Sequence, residues 1–175
     1  MDNKSFKLEL KSLTPQGTFT GLASVFGNVD LGGDMVDSGA FARSLSHRGG
    51  DVPILFAHDQ KQPVGLGKVR ETGSGLEING ELVMETAKAQ EVFALMKKGV
   101  LKGLSIGYDT VRSVVKDGIN HLQELKLYEV SIVTFPMNEL ATVSSVKAQT
   151  DSDAELQSFL ETVKACTLSI GGQNR

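Results

Sequence analysis

Two long β-rich runs, Leu101 to Val115 and Ile119 to Phe135, are joined only by Lys116-Asp117-Gly118. Asp-Gly between apolar runs signals a tight hairpin, because the favoured two-residue turn needs positive φ at both central positions. Pro136 closes the second strand, since it has no N–H to give to a ladder. A chain built around such a hairpin is committed to a β framework.

The remaining elements support that framework. Phe6, Leu8 and Leu10 alternate with charged residues, the period of a half-buried strand. The turn Thr14-Pro15-Gln16-Gly17 leads to a returning strand, Thr18 to Phe26, in which Gly21 marks a kink or a close backbone approach. Val52 to Phe56 reads as a short buried strand. Val64 to Arg70 and Leu76 to Met84 read as a hairpin around Thr72-Gly73-Ser74-Gly75, and Ala141 to Val146 as a last strand. Helical spacing occurs at Ala89, Val92, Phe93 and Met96, with Thr86 as N-cap and Gly99 as the stop. A shorter helix over Ala40 to Ser46 is capped by Asp37 or Ser38 and ended by Gly49-Gly50. Leu156, Phe159, Leu160 and Val163 mark a third helix in a polar C-terminal stretch. The expected architecture is mainly β with α: a closed or nearly closed β-barrel with two or three surrounding helices. Residues 1–148 form the expected main domain and 149–175 a helical or flexible tail.

Composition narrows the partners. A hydrophobic share of 40% supports a packed core, and a net charge of −3 without basic runs gives no footprint for nucleic acid. The strongest apolar run, Val52 to Ala57, falls far short of the ~20 residues that a membrane helix needs. No signal-peptide pattern opens the chain, and the lone Cys166 cannot form an internal disulfide. These features predict a soluble, intracellular protein that engages neither membrane nor nucleic acid.

Three segments can carry chemistry. Phe56-Ala57-His58-Asp59 puts a histidine, a proton carrier near neutral pH, at the end of a buried strand. The alternative is a hydrogen-bonded structural histidine. Gly103-Leu104-Ser105-Ile106-Gly107 puts a serine between two glycines on one strand face. That leaves open space beside the hydroxyl and backbone N–H groups approachable for an oxyanion; the alternative is glycines at bulges or sheet crossings. The α/β-hydrolase elbow has the same Gly-x-Ser-x-Gly spacing, but there a helix follows the serine, and here a strand continues. Glu129, in Tyr128-Glu129-Val130-Ser131-Ile132-Val133, is costly to bury without a partner. A histidine N–H is one such partner; a solvent-facing position is the alternative. A two-residue loop at Asp117-Gly118 sets Ser105 opposite Val130 and puts Glu129 on the other face; one bulge reverses that. Asp30, Asp34 and Asp37 lack calcium-loop spacing and read as a solvated loop.

Together these segments resemble the prohead protease family of tailed bacteriophages, the Hong Kong 97-like type. The resemblance rests on the Gly- and Asp-rich stretch ending in Asp37-Ser38-Gly39-Ala40-Phe41, on Ala57-His58, on Gly103 to Tyr108, and on Glu129 to Pro136. These occur in this order, with 47 positions between His58 and Ser105. The family is distantly similar to herpesvirus assemblins, serine proteases built on a β-barrel with helices around it. The resemblance implies a serine endopeptidase with Ser105 as nucleophile, His58 as general base and Glu129 as the orienting acid, working without metal or organic cofactor. It also implies a substrate, the scaffolding segment of the major capsid protein precursor and the protease itself, and a location inside the assembling prohead in the host cytoplasm. A homo-oligomer stays open. The herpesvirus relatives use a second histidine; His121 and His47 are the candidates here, and both read as surface residues. A non-catalytic assembly factor on the same fold and a serine esterase are the competing functions.

Overall fold

The computed structural model describes residues 17–147. The expected strand over 6–10, the helix around 156–163 and the boundary after 148 lie outside the described residues. The elements in chain order are β1 (Thr18–Val25), β2 (Asp34–Val36), α1 (Ala42–Arg48), β3 (Asp51–Phe56), β4 (Asp59–Glu71), β5 (Gly75–Leu82), α2 (Ala87–Lys97), β6 (Gly103–Lys116), β7 (Ile119–Val133) and β8 (Val143–Lys147).

The strands form one eight-stranded sheet in the order β2-β7-β3-β4-β5-β1-β8, with β6 paired to β7. Most pairs are antiparallel, but β2 and β3 both run parallel to β7, at residues 120–122 and 130–132. The fold is thus mainly β with a few helices. The ladder does not close on itself, so the expected closed barrel is not formed as a continuous sheet. Only an isolated bridge, Gly103 to Thr142, joins β6 to the segment before β8. Leu104 N–H donates to the Ala141 carbonyl at 2.9 Å, and Leu22 N–H reaches the Thr142 carbonyl at 3.0 Å from the other side. Gly21 permits this approach: a Cβ there would lie 2.7 Å from Leu104 Cδ1.

Local chemistry explains most boundaries. Thr86 Oγ1 accepts the Ala89 N–H at 3.2 Å, and α2 buries Ala89, Val92, Phe93 and Met96. Gly99 ends it with φ +70°. Helix α1 starts two residues later than expected and has no side-chain cap. Of its two expected caps, Asp37 and Ser38, the first is engaged by His121, while Phe41 N–H donates to Glu71 Oε1 at 2.9 Å. Ala40 and Phe41 are fully buried instead of opening a helix.

The core lies between the curled sheet and the two helices. Ile54, on β3, is 0% exposed within it. Ile54→Ala is expected to lower unfolding free energy by ~2–5 kcal/mol, through lost transfer energy and the cavity left behind. Urea unfolding checks this, and a loss below ~0.5 kcal/mol, the range of surface substitutions, would contradict the assigned packing.

Candidate active site

The site begins with an unmarked turn. Strands β3 and β4 are joined by Ala57-His58 alone, with Phe56 paired to Asp59. Both turn residues are left-handed, at φ 52° and 60°. Two successive positive φ angles define the hairpin turn whose twist matches its strands. For residues with a Cβ this costs roughly 1–2 kcal/mol each. Neighbouring β7 holds the turn in place: Ala57 N–H donates to the Ile132 carbonyl at 3.1 Å, and His58 N–H donates to Ser131 Oγ at 3.0 Å. Strain that the surroundings enforce is a pointer to function.

The β6/β7 hairpin supplies the rest. From the Asp117-Gly118 turn to Tyr108 the pairing follows the simple register, apart from a compensated irregularity at Arg112. Tyr108 then pairs with Leu127 but Gly107 pairs with Glu129, leaving Tyr128 as the extra residue of a bulge. Beyond it Ser105 faces Ser131, and Glu129 shares the Ser105 face. Glu129 is 8% exposed, on the face opposite the core residues Val130 and Ile132.

The three side chains meet. His58 Nδ1 lies 2.7 Å from Glu129 Oε1, and Nε2 lies 2.9 Å from Ser105 Oγ. A carboxylate can only accept, so Nδ1 carries the proton and the neutral ring presents Nε2 to the serine hydroxyl. Ser131 donates to Glu129 Oε2 at 2.7 Å. The hydrogen bond to Glu129 raises the His58 pKa above its ordinary value; burial opposes this, and the carboxylate's charge adds to it. The imidazole is 45% exposed and Ser105 half-buried, so the reactive edge opens to solvent.

The other candidates sit elsewhere. His121 is bonded to Asp37 at 2.9 Å, a partnered residue and not a bare surface histidine. His47 is exposed on α1. Asp30 Oδ1 accepts the Gly32 and Asp34 amides, and Asp34 accepts from Asn120, so these carboxylates shape their loop. No group of three or more His, Cys, Asp or Glu able to hold a metal ion exists among the described residues. No described helix is long and apolar enough to cross a membrane. Sequence reading gave Ser131 no role; its signal was a hydroxyl two residues from Glu129, on the same strand face.

The fold is similar to that of a herpesvirus protease. It superimposes on the crystal structure of KSHV protease in complex with a hexapeptide phosphonate inhibitor, with a TM-score of 0.50 at 12% identity, over 73% of this chain and 64% of that one. Residues 6–155 match the model of the caudovirus prohead serine protease, and the chain belongs to that family. It is 33% identical over 140 residues to the prohead protease of Enterobacteria phage HK97, covering 76% of this chain and 61% of that protein. It is 32% identical over 106 residues to the capsid polyprotein of Pseudomonas phage PAJU2, covering 55% of this chain and 16% of that protein. The chain thus spans less than two thirds of the length of each of these two relatives.

Proposed function

We propose that this chain is a serine endopeptidase of capsid maturation, with Ser105 as nucleophile, His58 as general base and Glu129 as orienting acid. The observation that carries this reading is the continuous relay from Ser105 Oγ through the His58 ring to Glu129. His58 Nε2 takes the Ser105 proton as Oγ attacks the scissile carbonyl. The tetrahedral intermediate collapses, the C–N bond breaks, and the imidazolium returns its proton to the leaving amine. Water then loses a proton to His58, attacks the acyl-enzyme and frees the acid, and Ser105 regains its proton. Glu129 stays charged throughout, fixing the tautomer and stabilising the imidazolium.

The substrate is the major capsid protein precursor, cut in its scaffolding segment inside the assembling prohead in the host cytoplasm, and then the protease itself. The PAJU2 relative supports this, since the stretch similar to this chain lies within a protein named a capsid polyprotein. In this reading residues 1–148 are the protease domain, a nearly closed barrel, and 149–175 a removable tail. A fluorophosphonate tests the nucleophile and co-incubation with capsid precursor tests the substrate, both read by intact mass. An adduct on the Ser105 peptide with discrete precursor cuts is expected. Absence of adduct and cuts would overturn the assignment. The same spectra read whether the tail is lost.

The pH profile follows from the His58 environment. The base works only when neutral, so kcat/KM falls as pH drops through its pKa. Because that pKa is raised, the acid limb is centred above ~6.5, the ordinary histidine value. Glu129→Gln moves the limb to lower pH, as the main cause of the shift is gone. A limb unchanged in this variant would separate Glu129 from the base.

A further inference from the structure

We propose that Ser131 is a positioning residue, whose single hydroxyl locks the acid and the backbone of the base into one unit. This rests on the assignment of Ser105, His58 and Glu129 above. Ser131 is 0% exposed, unusual for a hydroxyl on a strand of valine and isoleucine neighbours. It has one proton and gives it to Glu129 Oε2. Its lone pair accepts the His58 backbone N–H. The other carboxylate oxygen, Oε1, is thereby turned to the imidazole. So one side chain sets the rotation of the carboxylate and the seat of the left-handed turn that carries the ring.

Two consequences follow. The acid and the backbone of the base are referenced to the same atom, so Ser131 ties the β3/β4 turn to the strand that carries the carboxylate. Moreover, Ser131 lies directly opposite Ser105 but is no rival nucleophile, because it is buried and its proton is committed to Glu129. A fluorophosphonate therefore distinguishes the two serines.

The test reads the His58 ring by NMR with ring-labelled histidine, in a Ser105→Ala background so that no self-cutting intervenes. Glu129→Gln identifies the His58 signal among the three histidines. Ser131→Ala is expected to lower the His58 pKa toward the ordinary value, and Ser131→Thr, which keeps the hydroxyl, to restore it. In the Glu129→Gln background Ser131→Ala is expected to add no further shift. An unchanged His58 titration in folded Ser131→Ala would overturn the proposal. So would an equal shift with and without the carboxylate, since Ser131 would then act through the amide or through packing. Ser131→Cys, closest in shape and a weaker donor, covers the case in which alanine does not fold; a parental titration in that variant would also overturn the proposal. With Ser105 restored, Ser131→Ala is expected to lower kcat by about 10- to 100-fold, the scale of a misplaced catalytic group, with KM little changed. The titration needs no cleavage. A failure of the peptidase assignment therefore shows in the Ser105 experiments and leaves this readout intact.

Discussion

Ser105→Ala is expected to slow cleavage of a capsid-precursor peptide by ~10⁴-fold or more, the scale seen when a nucleophile leaves a hydrolytic triad. The substitution removes one half-buried hydroxyl and its 2.9 Å contact to His58. Little else changes: Leu104 beneath it is fully buried and untouched. Stability should stay within ~0.5 kcal/mol of wild type, as for most substitutions outside the core. Single-turnover cleavage followed by mass spectrometry, beside a thermal melt, separates the two effects. Cutting at the wild-type rate by a folded variant would remove Ser105 from the chemistry and turn attention to a non-catalytic assembly role.

Gly107→Ala should be the most damaging change that touches no reacting group. A Cβ at this position would lie 2.8 Å from Glu129 Cγ and 2.9 Å from Cδ. Those distances are too short, so something must move. The carboxylate cannot simply step back, because Oε2 is tied to Ser131 and Oε1 to His58. Gly107 pairs directly with Glu129 at the edge of the Tyr128 bulge, and the ladder runs on regularly from there through Ser105. A displacement near 1 Å in such a relay costs about 100-fold in rate. Crowding in the sheet should add ~1–3 kcal/mol of destabilisation. The cleavage rate and the acid limb of the pH profile check this together. Full activity with an unmoved limb would show that the acid tolerates displacement, and would weaken its assigned role.

The sequence showed the β6/β7 hairpin because Asp117-Gly118 carries its own turn chemistry. It could not show the bulge at Tyr128, since nothing about a tyrosine in a strand marks it as the residue left out of the pairing. The face of Glu129 depended on that bulge, so register had to come from tertiary contacts. The Ala57-His58 turn was hidden for the opposite reason. Its residues are poor formers of the turn they make, and β4 consequently begins five residues before the apolar pattern does. Strand β2 is only three residues long and held by its neighbour β7, too short for any periodicity to register. Neither Asp37 nor Ser38 caps α1, which begins at Ala42, and Asp37 is bonded to His121 instead. Residue types at His58, Ser105 and Glu129 stood out, whereas Ser131 did not, because a buried serine is revealed only by what surrounds it.

The parallel pairing of β3 with β7 bears on timing. Ser131 follows His58 by 73 positions, so at bacterial elongation rates its codon is read about 4–15 s later. Until then the left-handed turn lacks the Ile132 carbonyl and the Ser131 hydroxyl that hold it. Parallel pairings between distant segments are also among the slow steps of folding. The complete relay therefore cannot form in the growing chain before residue 131 has been added. The base, its acid and the turn that carries the ring are thus brought together by one event, the docking of β7 beside β3.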